Sequence, residues 1–169
     1  MTGRLWYPQL DIYDAIRRMG GLLGLWKPDS HPSIERFYIA DFYLANPPLL
    51  HKTNMSQHVR KEFYGLSVPK PEKTFMSYPS APLLFEKMAE VQRQAFRTIS
   101  GKGLIDLEVL ENGAVRPSAQ GVDVFEDQFI GLLALDEKRV AEFLVSSFAD
   151  NEVDIVVLRR STGLRRATR

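Results

Sequence analysis

The residue types that bind metals lie along this chain without the spacing of a metal site. The three histidines are His31, His51 and His58, and the chain contains no cysteine. Two of them lie seven residues apart and could share one face of a helix, but no carboxylate completes a ligand set. Asp106 and Glu108 alternate along a predicted strand, where a nuclease-like metal site would add a lysine at position 110, which is a leucine. We therefore interpret the histidines as ordinary surface or half-buried residues and the two acids as a solvated strand face.

The sequence motifs of common hydrolases and nucleotide-binding proteins do not occur in this chain. There is no nucleophile elbow, zinc-protease motif or phosphate loop. Gly20, Gly21 and Gly24 have part of the spacing of a nucleotide-binding loop, but they follow a helical pattern rather than a strand. We interpret them as small residues at a close helix contact, with the next helix in sequence as the expected neighbour. We predict no catalytic residue, no metal and no cofactor; an enzyme with an unrecognised site is the alternative.

Two groups of charged residues could bind a partner. Asp41 is the only charge in the middle of an apolar segment, and a buried carboxylate is costly unless it is paired. It can form a salt bridge or cap a neighbouring helix, or it can contact a partner subunit. The last eleven residues carry no acid and five arginines, which can contact phosphate or DNA or form a solubilising tail: Arg159, Arg160, Arg165, Arg166 and Arg169. We expect removal of residues 159–169 to leave the fold intact.

Aromatic residues near the N-terminus and near a Pro-rich stretch are candidates for contacts with another protein. Such residues dominate both binding hot spots and hydrophobic cores. With Asp41, the predicted partner interface comprises Trp6, Tyr7, Tyr43, Phe63 and Tyr64.

The composition is that of an ordinary globular domain. The chain has 169 residues, of which 44% are hydrophobic and 25% charged, so one domain is expected. A net charge of +1 argues against a protein that coats nucleic acid by charge alone. The N-terminal residues lack the apolar core of a signal peptide, and no apolar run approaches the ~20 residues needed to cross a bilayer. We expect a cytoplasmic protein without a membrane partner.

The stretch 33–50 predicts the central helix of the domain. Ser33 is the expected N-cap, Asn46 before two prolines ends the helix, and apolar residues lie nearly all round it. Periodicity and capping signals predict further helices over 11–25, 56–64 and 80–100. The last of these has an apolar seam at Leu84, Met88, Val91, Ala95 and Ile99.

The pattern then changes to a period of two. Residues 104–110 alternate, Asn112-Gly113 is a strong hairpin-turn signal, and 114–116 predict the returning edge strand. Helical spacing resumes over 122–135 and more clearly from Asp136, and 153–158 predict a last strand. The predicted fold is α+β and mostly helical: a winged-helix-like domain over 11–158 with a β-hairpin wing and a Pro-rich insertion at 47–79. Residues 1–10 are a predicted arm and 159–169 a basic tail.

Residues 40–44 (ADFYL), 47–50 (PPLL) and the helix-and-hairpin segment 80–121 resemble the middle component of bacterial ABC-three-component conflict systems, which use an SMC-like ATPase. This group includes the small subunit of Lamassu anti-phage complexes. The resemblance implies a non-enzymatic winged-helix subunit that bridges an SMC-like ABC ATPase and an effector nuclease in an anti-phage or anti-plasmid defence complex. It also implies possible DNA contact through the complex and carries over no catalytic residue. The alternative is a stand-alone winged-helix DNA-binding regulator that uses the wing and the arginine tail.

Overall fold

The computed structural model of this chain describes residues 7–27, 29–71 and 80–167. The predicted contact residues Trp6 and Arg169 lie outside these ranges, as do parts of the predicted arm and insertion. The α-helices of the described residues are α1 Ile12–Leu25, α2 Ile34–Ala45, α3 Gln57–Tyr64, α4 Ala81–Gly101, α5 Leu107–Glu111, α6 Ala119–Val124, α7 Leu135–Phe143 and α8 Ile155–Thr162. Short 3-10 segments lie at Pro8–Leu10, Pro47–Lys52 and Ile130–Leu132, and π-helical turns at Phe125–Phe129 and Leu144–Phe148.

Side-chain caps begin the four helices that the sequence predicts best. The side chains of Asp11, Ser33, Ser56 and Ser80 each accept a hydrogen bond from the backbone N–H three residues later, over 3.0–3.4 Å. These bonds satisfy N–H groups that have no partner inside the helix. The predictions of helices over 11–25, 56–64 and 80–100, and of the helix that begins after Ser33, are confirmed.

Helix α2 lies at the centre of the described fold. Residues 35–44 are all buried, and the helix packs against α1, α4 and α7. Apolar side chains on every side explain this position, because a helix without a polar face must be surrounded by protein. The predicted central helix is therefore confirmed.

Helix α4 packs along α1 and α2 through the predicted seam. Met88, Ala95 and Ile99 are buried, and Phe85 and Phe96 widen the apolar face beyond that seam. The opposite face is charged and exposed. No helix in the described ranges has both the length and the apolar composition that a bilayer crossing requires.

The predicted winged helix with a β-hairpin wing is wrong. Strand-like pairing in the described residues is limited to two isolated antiparallel bridges, Ser33–Ala114 and Ile105–Pro117, and no sheet forms there. The alternation over 104–110 is interrupted by Asp106, whose Oδ1 accepts hydrogen bonds from the N–H groups of Glu108 and Val109. This N-cap turns the following residues into helix α5 instead of a strand.

The Asn112-Gly113 pair marks the end of a helix, not the tip of a hairpin. Gly113 has φ of +81°, the left-handed conformation that the pair favours. Its N–H donates to the carbonyl of Leu110, which closes the last turn of α5. The sequence predicted the left-handed conformation at this position, but it did not predict that the preceding element is a helix.

The predicted strand over 153–158 is also wrong. Asp154 caps α8 by accepting a hydrogen bond from the N–H of Val156 at 2.7 Å, and the helix continues to Thr162. Leu164, which lies beyond this helix, is fully buried in the core. This buried residue argues against the expectation that residues 159–169 can be removed with the fold intact.

Helix α7 begins slightly before the predicted cap at Asp136. Its N-cap is Ala134, whose N–H donates to Glu137 Oε1 at 3.0 Å. Its last turn widens into the π-helical turn Leu144–Phe148, which places Phe148 against Tyr43 of α2.

The three glycines of α1 allow a close contact, as predicted, but with a different neighbour. A Cβ on Gly20 would lie 2.0 Å from Phe129 Cδ1, and one on Gly21 would lie 2.6 Å from Leu133 Cδ1. The segment after α6 fills this face, so the prediction that the central helix would be the neighbour is wrong.

Candidate functional site

Two buried charged residues, Arg18 and Asp41, form the centre of a hydrogen-bonded network. Arg18 and Asp41 are 1% and 0% exposed, and Arg18 Nε donates to Asp41 Oδ1 at 2.9 Å. Gln92 Nε2 donates to Asp41 Oδ2 at 2.9 Å, and Asp14 accepts a hydrogen bond from Arg18 Nη1. Burial alone would lower the pKa of Arg18, but the carboxylates of Asp41 and Asp14 outweigh this effect and raise it. The network holds α1, α2 and α4 together. It also gives Asp41 a salt bridge within the chain, which is one of the roles that the sequence predicted for this residue.

A second ion pair joins α1 to α7 at the surface. Arg17 donates from Nη1 and Nη2 to the carboxylate of Glu137 at 2.8 and 2.7 Å, and from Nη1 to the carbonyl of Leu132 at 3.2 Å. Burial alone would raise the pKa of Glu137, but the hydrogen bonds from Arg17 and from the N–H of Ala134 lower it. This bidentate pair fixes the start of α7 on α1.

The C-terminal segment is held by Glu35 of α2. Glu35 is 5% exposed and accepts a hydrogen bond from Arg159 Nε at 2.9 Å and one from the backbone N–H of Arg166 at 3.1 Å. Burial alone would raise the pKa of Glu35, but these bonds outweigh it and the pKa is lowered. The first arginine of the predicted tail therefore has a structural role.

Arg36 holds the turn before α8 and was missed by the sequence analysis. Its guanidinium donates to the carbonyls of Ala149, Asp150 and Val153, the second at 2.7 Å. Burial lowers the pKa of Arg36. A buried arginine that caps several carbonyls leaves no local pattern in the sequence, so this role could not be predicted.

A cleft of about 390 Å³ lies between α2, α4 and the C-terminal segment. We call it the arginine cleft; it is lined by Ile34, Tyr38, Arg93, Phe96, Arg97, Arg166 and Ala167. The Arg166 guanidinium lies 3.7 Å from the ring centroid of Phe85 and 5.1 Å from that of Tyr38, and it donates to Gln92 Oε1 and to the carbonyl of Phe85. Burial, and then repulsion from Arg93, lower the pKa of Arg166 to about 10.

The predicted partner interface is divided between surface and core. Tyr7 and Tyr64 are 55% and 59% exposed, so a partner can reach them. Asp41, Tyr43 and Phe63 are at most 1% exposed and contact other parts of this chain. These three side chains build the interior and are not open to a partner in this structure.

The predicted phosphate-contact residues also have different environments. Arg160 and Arg165 are exposed, whereas Arg159 is paired with Glu35 and Arg166 is half-buried in the arginine cleft. The structure therefore brings Arg166 together with Arg93 and Arg97 of α4, not with the neighbouring tail arginines. The sequence alone does not indicate that the arginines of α4 lie beside the C-terminal segment.

The histidines and the acids considered for metal binding have other contacts. His51 Nε2 lies 2.7 Å from the carbonyl of Val68, and the exposed His58 pairs with Glu62. Asp106 caps α5 and pairs with Arg116. The interpretation of Asp106 as part of a solvated strand is replaced by this capping role.

The fold and these contacts define a helical protein whose interior charges hold its own helices together. The family model described as ABC-three component (ABC-3C) system Middle Component 5 matches residues 4–165, and the chain belongs to this family. The match confirms the resemblance to middle components of ABC-three-component systems. No curated protein and no solved structure gives a significant match.

Proposed function

We propose that this chain is a non-catalytic subunit that bridges an SMC-like ABC ATPase and an effector nuclease in an anti-phage or anti-plasmid defence complex. The observation that carries the proposal is the family match over residues 4–165, because a middle component belongs to a system of several components. The role of such a chain is to contact other polypeptides.

The interior charges support a structural role. A buried ion pair that loses one partner leaves an uncompensated charge, so each member is needed for the packing of the other. Arg18 is satisfied by Asp41 and Asp14, and Glu35 by Arg159 and the Arg166 N–H. The buried charges of Arg18 and Glu35 are therefore explained by their role in holding the fold together.

Exposed apolar residues near the Arg17–Glu137 pair support a contact with another protein. Tyr13, Leu132 and Leu135 are 84%, 55% and 75% exposed. Tyr13 lies one helical turn before Arg17, which donates to the carbonyl of Leu132, and Leu135 begins α7. We call these three residues the Tyr13 patch; neighbouring exposed apolar side chains mark interaction surfaces more often than isolated ones.

Co-expression with the products of the neighbouring genes tests the bridging role. We expect size-exclusion chromatography with light scattering to show one complex of all the components at about micromolar concentration. When this chain is omitted, the ATPase and the effector should elute separately. An ATPase and effector that associate equally well without it would contradict bridging. Separate elution of this chain would contradict membership in the complex.

Charge substitutions in the Tyr13 patch test the surface. Tyr13→Glu with Leu135→Glu should weaken assembly, because burying two unpaired carboxylates is costly. Leu107→Glu with Val157→Glu is the matched control, since these two residues are 60% and 51% exposed and lie outside the patch. Equal effects of the two double variants would remove the patch from the interface.

A further inference from the structure

Three guanidinium groups line the arginine cleft, and none of the described residues that line it is acidic. Arg93 pairs with Glu90 at 2.7 Å, on the exposed side of α4. Arg166 donates from its guanidinium to two neutral oxygens, those of Gln92 and Phe85. Among the described residues, no carboxylate lies within salt-bridge distance of the side chains of Arg97 or Arg166. The cleft therefore has an excess of positive charge.

The electrostatics of the neighbouring groups support this excess. Burial and repulsion from Arg93 lower the pKa of Arg166, although Tyr38 and the carboxylates of Asp41 and Glu35 act to raise it. These two carboxylates are already paired with Arg18 and Arg159, so they leave the cations of the cleft only partly compensated. Burial raises the pKa of Tyr38, while Arg166, Arg93 and Arg97 each act to lower it. Tyr38 therefore lies within the electrostatic reach of all three cations. An anion in the cleft would relieve the repulsion and would be attracted more strongly than at an open surface.

The remaining wall of the cleft is apolar. Phe96 is 6% exposed and Tyr38 is 5% exposed, and both rings line the cleft with the half-buried Ile34. Phe96 and Tyr38 pack edge to face, with ring centroids 6.2 Å apart. The cleft thus combines apolar side chains with cations, and the Arg166 guanidinium lies over the ring of Tyr38.

We infer that the arginine cleft binds an acidic segment of a partner polypeptide. An aspartate or glutamate of this segment pairs with Arg97 and Arg166, and a neighbouring apolar side chain packs against Phe96 and Ile34. Arginine suits this role because its planar fork binds carboxylates in two-pronged pairs. The inference rests on the proposed function, which requires a partner polypeptide.

The charge pattern of α4 favours a short acidic segment over a nucleic acid. Glu86, Glu90, Arg93 and Arg97 are spaced by four, three and four residues, so they form one stripe along the helix. A nucleic-acid backbone that ran along this stripe would meet two glutamates as well as two arginines, and the glutamates would repel its phosphates. Nucleic-acid sites are usually more uniformly basic. A single carboxylate, by contrast, can pair with Arg97 and Arg166, which have no salt-bridge partner among the described residues, without extending along the stripe.

Charge reversal in the assembled complex tests the inference. Arg93→Glu with Arg97→Glu, measured with the co-encoded ATPase and effector, should raise the Kd of this subunit by about tenfold or more. Lys87→Glu with Lys102→Glu is the matched control: it makes the same charge change on exposed residues of α4 and its C-cap, away from the stripe. Arg93→Gln with Arg97→Gln is a second variant that removes the positive charges without adding negative ones. It should cause a smaller loss of affinity. A photo-crosslinker in place of Ala167, an exposed residue that lines the cleft, should label a partner peptide that contains aspartate or glutamate.

The outcomes separate the two proposals. If the wild-type chain forms no complex, both the proposed function and the cleft assignment are overturned. If the complex forms and the Arg93→Glu/Arg97→Glu variant binds as tightly as the wild type, the cleft assignment alone is overturned. A crosslinked peptide without an acidic residue overturns it too. The assignment is also overturned if the Arg93→Glu/Arg97→Glu variant assembles normally but no longer binds a fluorescent DNA duplex that the wild type binds, since the cleft would then bind nucleic acid.

Discussion

Glu35 and Arg159 lie 124 positions apart in the sequence and form an ion pair between the central helix α2 and the last helix α8. Glu35 also accepts a hydrogen bond from the Arg166 N–H, so one buried carboxylate fixes two points of the C-terminal segment. Between these points, Leu164 is fully buried. The basic C-terminal segment, as far as residue 167, is therefore packed on the rest of the described fold.

Truncation after Thr162 should destabilise the protein. The change removes the buried Leu164 and the Arg166 contacts, and loss of one buried leucine side chain costs about 2–5 kcal/mol. For a chain of this size, each kcal/mol lowers Tm by roughly 2–4 °C. Thermal unfolding followed by circular dichroism measures the effect. Arg165→Ala is the control, because this side chain is exposed; a truncated protein that melts with the wild type would disprove the structural role.

Asp41→Ala should destabilise the isolated subunit. The change leaves Arg18 buried beside a single carboxylate, and breaking a buried pair costs about 3–5 kcal/mol. Urea unfolding measures the loss. Arg18→Met with Asp41→Leu should recover much of it, because no unpaired charge remains. If the isolated Asp41→Ala protein were as stable as the wild type while its complex dissociated, Asp41 would be a partner contact after all.

The stability of the protein should decrease in acid through Glu35. Its pKa in the folded protein is lower than the ordinary value of 4.5, so at pH values near and below 4.5 the unfolded chain binds more protons than the folded one. The stabilisation is present above 4.5 and is lost as the pH falls through the lower, folded-state pKa. Urea midpoints between about pH 7 and about pH 3 measure the slope. Glu35→Gln should be less stable at neutral pH and should show a flatter decline; an unchanged slope would count against the Glu35 pair.

Gly20→Ala should destabilise α1 although alanine is the better helix former. Alanine favours a helix by about 1 kcal/mol over glycine, but its Cβ would lie 2.0 Å from Phe129 Cδ1. Overpacking of this kind costs about 1–3 kcal/mol, so the net change in the free energy of unfolding should be negative. Gly101→Ala is the matched control, since no atom lies within 4 Å of a Cβ there. The Gly101→Ala protein should be as stable as the wild type or slightly more stable. If both variants gained stability, the side chain of Phe129 would have to move aside at little cost.

Local signals predicted the helices whose ends are capped by their own neighbours. Ser33, Ser56 and Ser80 are recognisable because the bond that each accepts comes from three residues away. The strand predictions failed because short apolar alternations fit a strand or one turn of a half-buried helix equally well. At Asp106 and Asp154, a capping aspartate decides in favour of the helix.

The candidate site could not be predicted because tertiary packing assembles it. Arg93 and Arg166 share a cleft although they lie 73 positions apart in the sequence. The acid partner of Arg159 lies on α2, and the neighbour of Gly20 lies beyond α6. Periodicity identifies which face of a helix is apolar, but it does not identify which distant segment covers that face.

The buried position of Leu164 has a consequence for synthesis on the ribosome. Protein domains fold as their residues emerge from the exit tunnel, and incompletely folded intermediates expose apolar surface that promotes aggregation. Here α2 emerges early, but the apolar site that Leu164 fills stays open until residue 164 has also left the tunnel. During that interval the nascent chain presents an unfilled apolar site, where chaperones or a co-translated partner have an opportunity to bind.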